Sequence, residues 1–299
     1  MDLPRDGCVA FFDFVTSRHR LFIRRVVDRQ PPPWTDDPVL ARFRFTNVYR
    51  ALDRGTRFLT CCILPQSSVR ADLIWNVYRY RLFNSIETYQ QMGGFIPAAS
   101  WRADHATQVV DSMRRQNIPT FSPAYMHVGR KGISKAHDYL AAVARAAAGV
   151  ASIEGSLVRQ PTMKTAWEFL TSLDFVGKFI AYELVVDYCY EGKVLSFSED
   201  DFVHAGPGAM RGLTEVAGEA PQSCDAERLI TLLRNAQPRL PGPRMTLRDI
   251  EHSLCEFAKY RRVQHLGRYR RQFDAETCNN DLSLWDNLPR RLYEAAPGH

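Results

Sequence analysis

The chain has 299 residues, of which 45% are apolar and 24% are charged, and its formal net charge is +6 at pH 7. These proportions are typical of a globular protein and exclude a disordered or collagen-like chain. No apolar run approaches the roughly 18–20 residues that span a bilayer, so we expect no membrane partner. The seven cysteines include no C-x-x-C pair, which disfavours structural zinc and favours reduced thiols in a cytoplasm.

Apolar residues recur at helical spacing through most of the chain and predict a mainly α fold. The predicted helices cover residues 8–27, 39–52, 71–89, 103–116, 135–150, 165–173, 178–190 and 247–260. Short strands are predicted at 121–128 and 194–197, without the alternation of a βαβ fold. We expect one domain over residues 1–299 that can divide into lobes of about 1–150 and 151–285, with the active site between them.

The sequence LTSLDFVGKFIA at residues 170–181 predicts two short helices joined by a hairpin. It is similar to the helix-hairpin-helix motif, in which the amides and positive dipole end of the second helix bind a DNA phosphate. This pattern assigns Gly177 and Lys178 to DNA binding. Asp174 and Phe175 replace the proline and first glycine usual in the motif, so a helical hairpin without DNA contacts remains an alternative.

An acidic turn followed by a glycine-rich helix start lies downstream of this hairpin. In helix-hairpin-helix DNA glycosylases a catalytic aspartate occupies the comparable region, which makes Asp201 a candidate. Gly206 and Gly208 flank Pro207 and would allow close approach of a ligand to the backbone. Arg211, one helical turn later, could reach an anion. A plain helix start with a tight turn explains the same residues.

Residues 34–57 contain a helix-start signal followed by a polar stripe. Asp36 or Asp37 can cap the helix that Pro38 opens. On a continuous helix, polar residues at spacings of three and four would then share one face: Asn47, Arg50, Asp53, Arg54 and Arg57. This composition suits a pocket for a planar base and a phosphate, although a salt-bridged surface helix is the alternative.

The predicted helix at 247–260 carries Glu251, Cys255 and Lys259 at intervals of four, opposite its apolar face. Cys255 is a candidate nucleophile, although a free cysteine is more commonly an unreactive packed thiol. Two arginine clusters suggest a surface for the DNA backbone. They comprise Arg18, Arg20, Arg24 and Arg25 in one segment, and Arg261, Arg262, Arg268, Arg270 and Arg271 in the other.

Five stretches occur in the order found in one known family. They are W-T-D-D-P at residue 34, F-T-N-V-Y-R-A-L-D-R-G-T-R at 45, V-G-K-F-I-A-Y-E-L-V-V-D-Y at 176, G-P-G-A-M-R-G at 206 and E-H-S-L-C-E-F-A-K-Y at 251. Over residues 10–275, approximately, the chain resembles the α-glutamyl/putrescinyl thymine pyrophosphorylase family, which includes phage amino acid:DNA transferases. The same family occurs as the helical domain beside phage 5-hydroxymethyluracil DNA kinases.

The resemblance implies a glycosylase-like helical fold and a role in thymine hypermodification. Such an enzyme would displace the phosphate or pyrophosphate of 5-phosphomethyluracil in double-stranded DNA with an amine, either an amino acid, with glycine expected, or a polyamine. The chain contains no G-x-x-x-x-G-K-[ST] motif, so it would act after a separate 5-hydroxymethyluracil DNA kinase. We expect it in the cytoplasm, which is the host's if a phage encodes it.

That chemistry assigns roles to the candidate residues. Asp53 and Asp201 lead as the carboxylate that deprotonates the amine, with Asp36 and Glu251 behind them. The phosphate would be bound by arginines, with Gly206, Gly208 and Lys259 nearby, and Asn47 would bind the uracil edge. We list the arginines as Arg50, Arg54 and Arg211. Cys255 could add to the ring if the reaction passes through an exocyclic methylene.

Two other classes of function stay open. A helix-hairpin-helix DNA glycosylase would cleave the glycosidic bond and leave abasic sites. A non-catalytic DNA-binding module would bind in a salt-sensitive manner without dependence on an amine. We predict no cofactor and no tightly bound metal, because no His, Cys and Asp cluster has ligand spacing.

Overall fold

The computed structural model describes residues 3–123, 134–267, 272–273 and 282–295. Its regular elements are helices, which confirms the mainly α prediction. Within the described residues, strand-like pairing is limited to an isolated antiparallel bridge between Phe43 and Gln272. The strand predicted at 194–197 is wrong, because this segment is irregular. Most of the strand predicted at 121–128 lies outside the described residues.

Thirteen α-helices are present in the described chain, and short 3₁₀ and π turns extend several of them. They are α1 (Arg5–Phe22), α2 (Pro38–Arg42), α3 (Arg54–Phe58), α4 (Arg70–Phe83), α5 (Ile86–Gln91), α6 (Ala103–Arg115), α7 (Lys135–Ala148), α8 (Val150–Leu157), α9 (Met163–Leu170), α10 (Lys178–Cys189), α11 (Pro207–Ala217), α12 (Ala226–Ala236) and α13 (Leu247–Leu266).

The chain forms two compact units. Unit 1 combines Met1–Arg54 with Val203–His299, and unit 2 is Gly55–Phe202. Unit 1 is therefore discontinuous in sequence, whereas the lobes expected from the sequence were continuous and divided near residue 150.

Unit 1 is built around α13. Thr246 caps this helix by accepting a hydrogen bond from the Asp249 amide, and the Asp249 carboxylate accepts one from the Thr246 amide in return. Ile250, Leu254 and Phe257 are buried at helical spacing on one face. Helices α1, α11 and α12 pack against α13, and α11 makes the most extensive contact.

Glycine brings α11 unusually close to α13. A Cβ atom added to Gly212 would lie 2.2 Å from the Leu254 carbonyl oxygen, and one added to Gly208 would lie 2.3 Å from the Cys255 Sγ. Real Cβ atoms do not approach other atoms so closely, so a larger residue at 212 would push the two helices apart, and one at 208 would displace the Cys255 side chain. The sequence G-A-M-R-G thus positions the N-terminus of α11 beside α13.

Unit 2 is built around α4, which packs against α7, α8 and α10. Every residue of α4 from Leu73 to Phe83 is buried, including two arginines. Arg81 forms an ion pair with Asp187 of α10, and both side chains are at most 2% exposed. Arg79 lies against the rings of Trp75, Tyr89 and Trp101 and donates to main-chain carbonyls of the loop after α5.

In the described part of the chain, no single helix has the length and apolar content to cross a membrane. Helices α7 and α8 meet those criteria only as a pair, and they are bent by 74° relative to each other.

Candidate active site

The segment after α2 is not the helix predicted over residues 39–52, and that prediction is wrong. Helix α2 ends at Arg42, Phe43 is extended, and only a 3₁₀ turn at Arg50–Leu52 follows. The aromatic and β-branched residues between them have low helix propensity. Main-chain amides of this segment donate hydrogen bonds to side chains instead of to helix carbonyls. Without a continuous helix, the polar residues at 47–57 do not share one face.

Three carboxylates hold this segment through its main-chain amides. Asp53 accepts from the Asn47 amide at 2.9 Å, Asp249 from the Arg50 amide at 2.9 Å, and Glu256 from the Thr46 amide at 3.0 Å. Two of the three acceptors belong to α13, so this helix fixes the loop that carries the sequence-predicted residues. We call the resulting group of side chains the polar cluster: Arg18, Asn47, Arg50, Asp53, Asp249, His252, Glu256 and Lys259.

Asp53 lies at the centre of the polar cluster. Its Oδ2 is 3.1 Å from His252 Nε2 and 3.4 Å from Arg50 Nη1, while Oδ1 accepts the Asn47 amide. Burial works to raise the pKa of Asp53, but His252, Arg50 and the Asn47 amide outweigh it and hold this pKa below its ordinary value. Asp53 is therefore an ionised carboxylate at neutral pH with both oxygens occupied.

Glu256 and Lys259, both on α13, form another ion pair of the polar cluster, with 2.5 Å between Lys259 Nζ and Glu256 Oε2. Lys259 also donates to the Arg44 carbonyl and lies over the Phe45 ring. Desolvation lowers the pKa of Lys259, although Glu256 opposes that shift. Desolvation also acts on Glu256, but Lys259 and Arg18 dominate and lower its pKa.

Arg18 is buried in the polar cluster, and its assignment to a DNA-binding surface is wrong. It is 4% exposed, and its Nη2 donates to the Asn47 carbonyl at 2.6 Å and to Ser253 Oγ at 3.3 Å. Desolvation lowers its pKa to about 10, against the opposing effects of Glu256 and Asp53. Helical spacing places Arg18 with Phe11, Phe14 and Val15 on the inward face of α1.

The N-terminus of α11 adjoins the middle of α13. The Gly206 amide faces Glu251 Oε1 at 3.5 Å, and Glu251 is also paired with Arg248 on its own helix. Close packing against Cys255 explains Gly208 without a bound phosphate. Arg211 is exposed, and it lies near enough to Cys255 for its positive charge to lower the pKa of the thiol.

Cys255 is exposed, yet the protein around it makes it a poor nucleophile. Desolvation raises the pKa of the thiol to about 11, and Glu256 and Glu251 add to the shift, while Lys259 and Arg211 oppose it. The reactive form of cysteine is the thiolate, which is scarce at neutral pH for such a thiol.

Several predicted site residues lie outside the polar cluster, and three of them are exposed. Asp36 is exposed, and its neighbour Asp37 is the cap of α2. Arg54 is exposed at the start of α3. Asp201 belongs to unit 2, where it is exposed and accepts the Ser198 amide within a turn. Asn47, Arg50, Asp53 and Lys259 do come together in the polar cluster of unit 1, whereas Glu251 pairs with Arg248 beside it.

The predicted hairpin forms between α9 and α10. Gly177 is the N-cap of α10 and has no side-chain cap, and both Gly177 and Lys178 are exposed. Phe175, at the position of the motif's first glycine, has a φ of +60°, the left-handed conformation that glycine favours. Phe175 thus adopts a backbone conformation that glycine would adopt with less strain.

The second arginine cluster is only partly described. Arg261 interacts with Glu215 and Gln264 on the surface of unit 1, and Arg262 is exposed. Arg270 and Arg271, like Arg268, lie outside the described residues.

Sequence reasoning missed His252 as a site residue. A signal was present, because Asp249, His252, Glu256 and Lys259 recur at spacings of three and four on α13. The inward polar stripe thus lies on α13 and not on residues 47–57. Among the described residues, no group of three or more His, Cys, Asp and Glu side chains could hold a metal ion, and the metal assignment stays a prediction.

Comparisons with known proteins identify the class of this helical chain. It matches the family described as "5-hmdU DNA kinase, helical domain" over residues 7–268. It is 25% identical over 291 residues to a 5-hmdU DNA kinase of Bacillus phage SP10, and the match covers 84% of this chain and 44% of that protein. The chain thus spans less than half the length of this relative, and no solved structure matches it. The chain belongs to the family of helical domains of 5-hmdU DNA kinases.

Proposed function

We propose that the protein is a DNA-modifying transferase that replaces the phosphate or pyrophosphate of 5-phosphomethyluracil in double-stranded DNA with an amine. The observation that carries the proposal is the polar cluster, which lies within the part of the chain that matches the family model. The named relative is a 5-hmdU DNA kinase, and its product class is a phosphorylated base. A helical domain of that family is suited to act on such a base.

The reaction needs a base, cations and a group that reads the pyrimidine. An amine is protonated at neutral pH and must lose a proton before it can attack, while the departing phosphate gains negative charge that arginine can offset. Arg50 lies in the polar cluster, and the exposed Arg54 and Arg211 are available for phosphate. Lys259, Gly206 and Gly208 remain phosphate-site candidates, although Lys259 is engaged by Glu256.

Asn47 is the residue proposed to recognise the uracil edge. Its Nδ2 donates to the Leu52 carbonyl at 2.7 Å, which orients the amide and leaves Oδ1 to accept from the N3–H of the base. The target base must leave the helical stack to reach such a group, at a cost of a few kcal/mol. Among the carboxylates proposed from the sequence, Asp53 lies in the polar cluster, whereas Glu251, Asp36 and Asp201 lie outside it.

We propose that DNA is held by the α9–α10 hairpin and by surface arginines. The exposed N-terminus of α10, with Gly177 and Lys178, can contact a backbone phosphate. Arg261 and Arg262 are further phosphate contacts, and Arg270 and Arg271 are proposed from the sequence. A helix-hairpin-helix, glycosylase-like fold is part of the same proposal, and we expect the reaction to take place in the cytoplasm.

The co-substrate would be an amino acid, with glycine favoured, or a polyamine. The kinase step would belong to a separate catalytic domain, since this sequence contains no G-x-x-x-x-G-K-[ST] motif.

The test is mass spectrometry of nucleosides from DNA that contains 5-phosphomethyluracil or its pyrophosphate form, after incubation with the protein and a mixture of amino acids and polyamines. We expect a new amine-substituted thymidine, whose mass identifies the nucleophile. DNA with 5-hydroxymethyluracil is the matched control and should remain unchanged.

Three outcomes would contradict the proposal. Loss of the base, seen as abasic sites, would indicate a glycosylase. Salt-sensitive DNA binding with both phosphorylated nucleosides unchanged would indicate a binding module. Absence of both binding and product would exclude DNA as the substrate.

A further inference from the structure

We propose that His252 is the general base that takes the proton from the attacking amine, and that Asp53 is its positioning residue. This inference rests on the proposed transferase function and names the proton acceptor within the same site. Asp53, expected from the sequence to be the base itself, then orients His252 and stabilises its charged form.

The two side chains form a dyad within the polar cluster. His252 Nε2 lies 3.1 Å from Asp53 Oδ2, and the side chains are 13% and 15% exposed. They are thus held by the protein but still reached by solvent. The negative charge of the Asp53 carboxylate favours the tautomer with the proton on Nε2, the ring nitrogen that faces it. Nδ1 is then the unprotonated atom, and it can accept a proton.

Asp53 is poorly placed to be the base itself. Oδ1 accepts the Asn47 amide at 2.9 Å, and Oδ2 is shared by His252 and Arg50. The same contacts keep its pKa low, so it binds a proton weakly. A fixed, ionised carboxylate with occupied oxygens is what orients and stabilises a histidine that becomes charged during a reaction.

The charges around His252 come from three elements. Asp53 and Arg50 belong to the 47–53 segment, Arg18 comes from α1, and Asp249 and Glu256 lie on α13 itself. Arg50 and Arg18 have carboxylate neighbours that offset their charge. A proton taken up by His252 is therefore balanced most directly by Asp53.

The neutral imidazole takes one N–H proton of the protonated amine through Nδ1. The lone pair that this releases forms the bond to the exocyclic methylene carbon, and the product nitrogen is a secondary ammonium. The carbon–oxygen bond to the phosphate breaks, and its electron pair leaves with the phosphate oxygen. The imidazolium that results is paired with Asp53 and later returns its proton to solvent.

The experiment compares His252→Gln with the matched control His265→Gln, an exposed histidine in the last turn of the same helix. Amine incorporation into phosphomethyluracil DNA is measured across the pH range. His252→Gln should lower the rate by about 10²–10⁴-fold and remove the acid inflection of the pH–rate profile. His265→Gln should match the wild type. Ionisation of the free amine contributes equally to the pH–rate profile of every variant. A difference between the profiles therefore reports the base that the protein supplies.

Two further variants separate catalysis from structure. His252→Ala leaves space for added imidazole, which should restore activity without changing the fold. Asp53→Asn should move the acid inflection to lower pH, because the negative charge that favours protonation of the base is lost. Neither rescue by imidazole nor a shifted inflection is expected if the two residues only support packing.

The outcomes distinguish this inference from the proposed function. If the wild type forms no amine adduct, the transferase proposal fails and the base assignment fails with it. If the wild type is active and a folded His252→Gln keeps the wild-type rate and pH profile, only the base assignment is overturned. If His252→Gln does not fold, the absence of imidazole rescue in a folded His252→Ala overturns it instead.

Discussion

The contact between α11 and α13 gives the sharpest stability prediction, because two glycines set how closely the helices approach. A Cβ at position 208 would lie 2.3 Å from Cys255 Sγ, about 1 Å inside ordinary contact. We expect Gly208→Ala to lower the free energy of unfolding by about 1–3 kcal/mol, as overpacked interiors do.

The side chain that causes this overlap can be removed. In Gly208→Ala/Cys255→Ala the remaining neighbour is the Cys255 Cβ at 3.2 Å, which needs an adjustment of only a few tenths of an ångström. Cys255→Ala alone should be within about 0.5 kcal/mol of wild type because the residue is exposed. The double variant should therefore recover most of the loss. Gly212→Ala should not be rescued in this way, because its obstacle is the Leu254 main chain.

Urea denaturation measures these effects as shifts of the midpoint at constant slope. Gly155→Ala is the control: this residue lies in α8, and its added Cβ would make ordinary contacts with Arg159. It should stabilise the protein by about 0.5–1 kcal/mol, since alanine is the better helix former. The close-packing argument is refuted if Gly208→Ala is as stable as Gly155→Ala, or if removing the thiol recovers nothing.

Three further variants test other interactions. Asp53→Asn should cost about 1.5–3 kcal/mol at pH 7 because it weakens charged hydrogen bonds. Because the folded-state pKa of Asp53 is lowered, this stabilisation is present above the unfolded-state pKa and is lost as the pH falls through the folded-state pKa. The difference in the free energy of unfolding between wild type and variant, measured at a series of acidic pH values, should therefore close. Thr246→Ala should cost about 1 kcal/mol by removing the cap of α13, measured by thermal unfolding against Thr107→Ala, a half-buried threonine within α6. Equal stability of the two variants would contradict it. Arg81→Met should cost about 3–5 kcal/mol in urea by leaving Asp187 buried without its ion pair, and a loss under 1 kcal/mol would contradict that estimate.

Helix identities and several helix ends could be predicted from local sequence. Thr246 and Asp249 gave the start of α13, and the predicted helices at 103–116 and 178–190 differ from α6 and α10 by one residue at the C-terminal end. These features depend on neighbouring residues, through apolar spacing and capping.

The architecture of the site could not be predicted because its contacts are distant in sequence. The helix expected over 39–52 does not form, because amides of this segment donate hydrogen bonds to carboxylates near residue 250, about 200 positions away. The clustering of Arg18 with other arginines predicted a basic surface, but Arg18 is buried and donates to the Asn47 carbonyl, a contact that is distant in sequence. The discontinuous unit 1 follows from the same long-range packing, which no local pattern records.

The most direct test of the central claim is the ratio of phosphate released to amine incorporated, measured with ¹⁵N-labelled glycine or polyamine and phosphomethyluracil DNA. The account predicts one labelled amine molecule in the modified nucleoside for each phosphate released, or for each pyrophosphate when the pyrophosphorylated base is the substrate. Phosphate release that yields only hydroxymethyluracil, without labelled product, would contradict it.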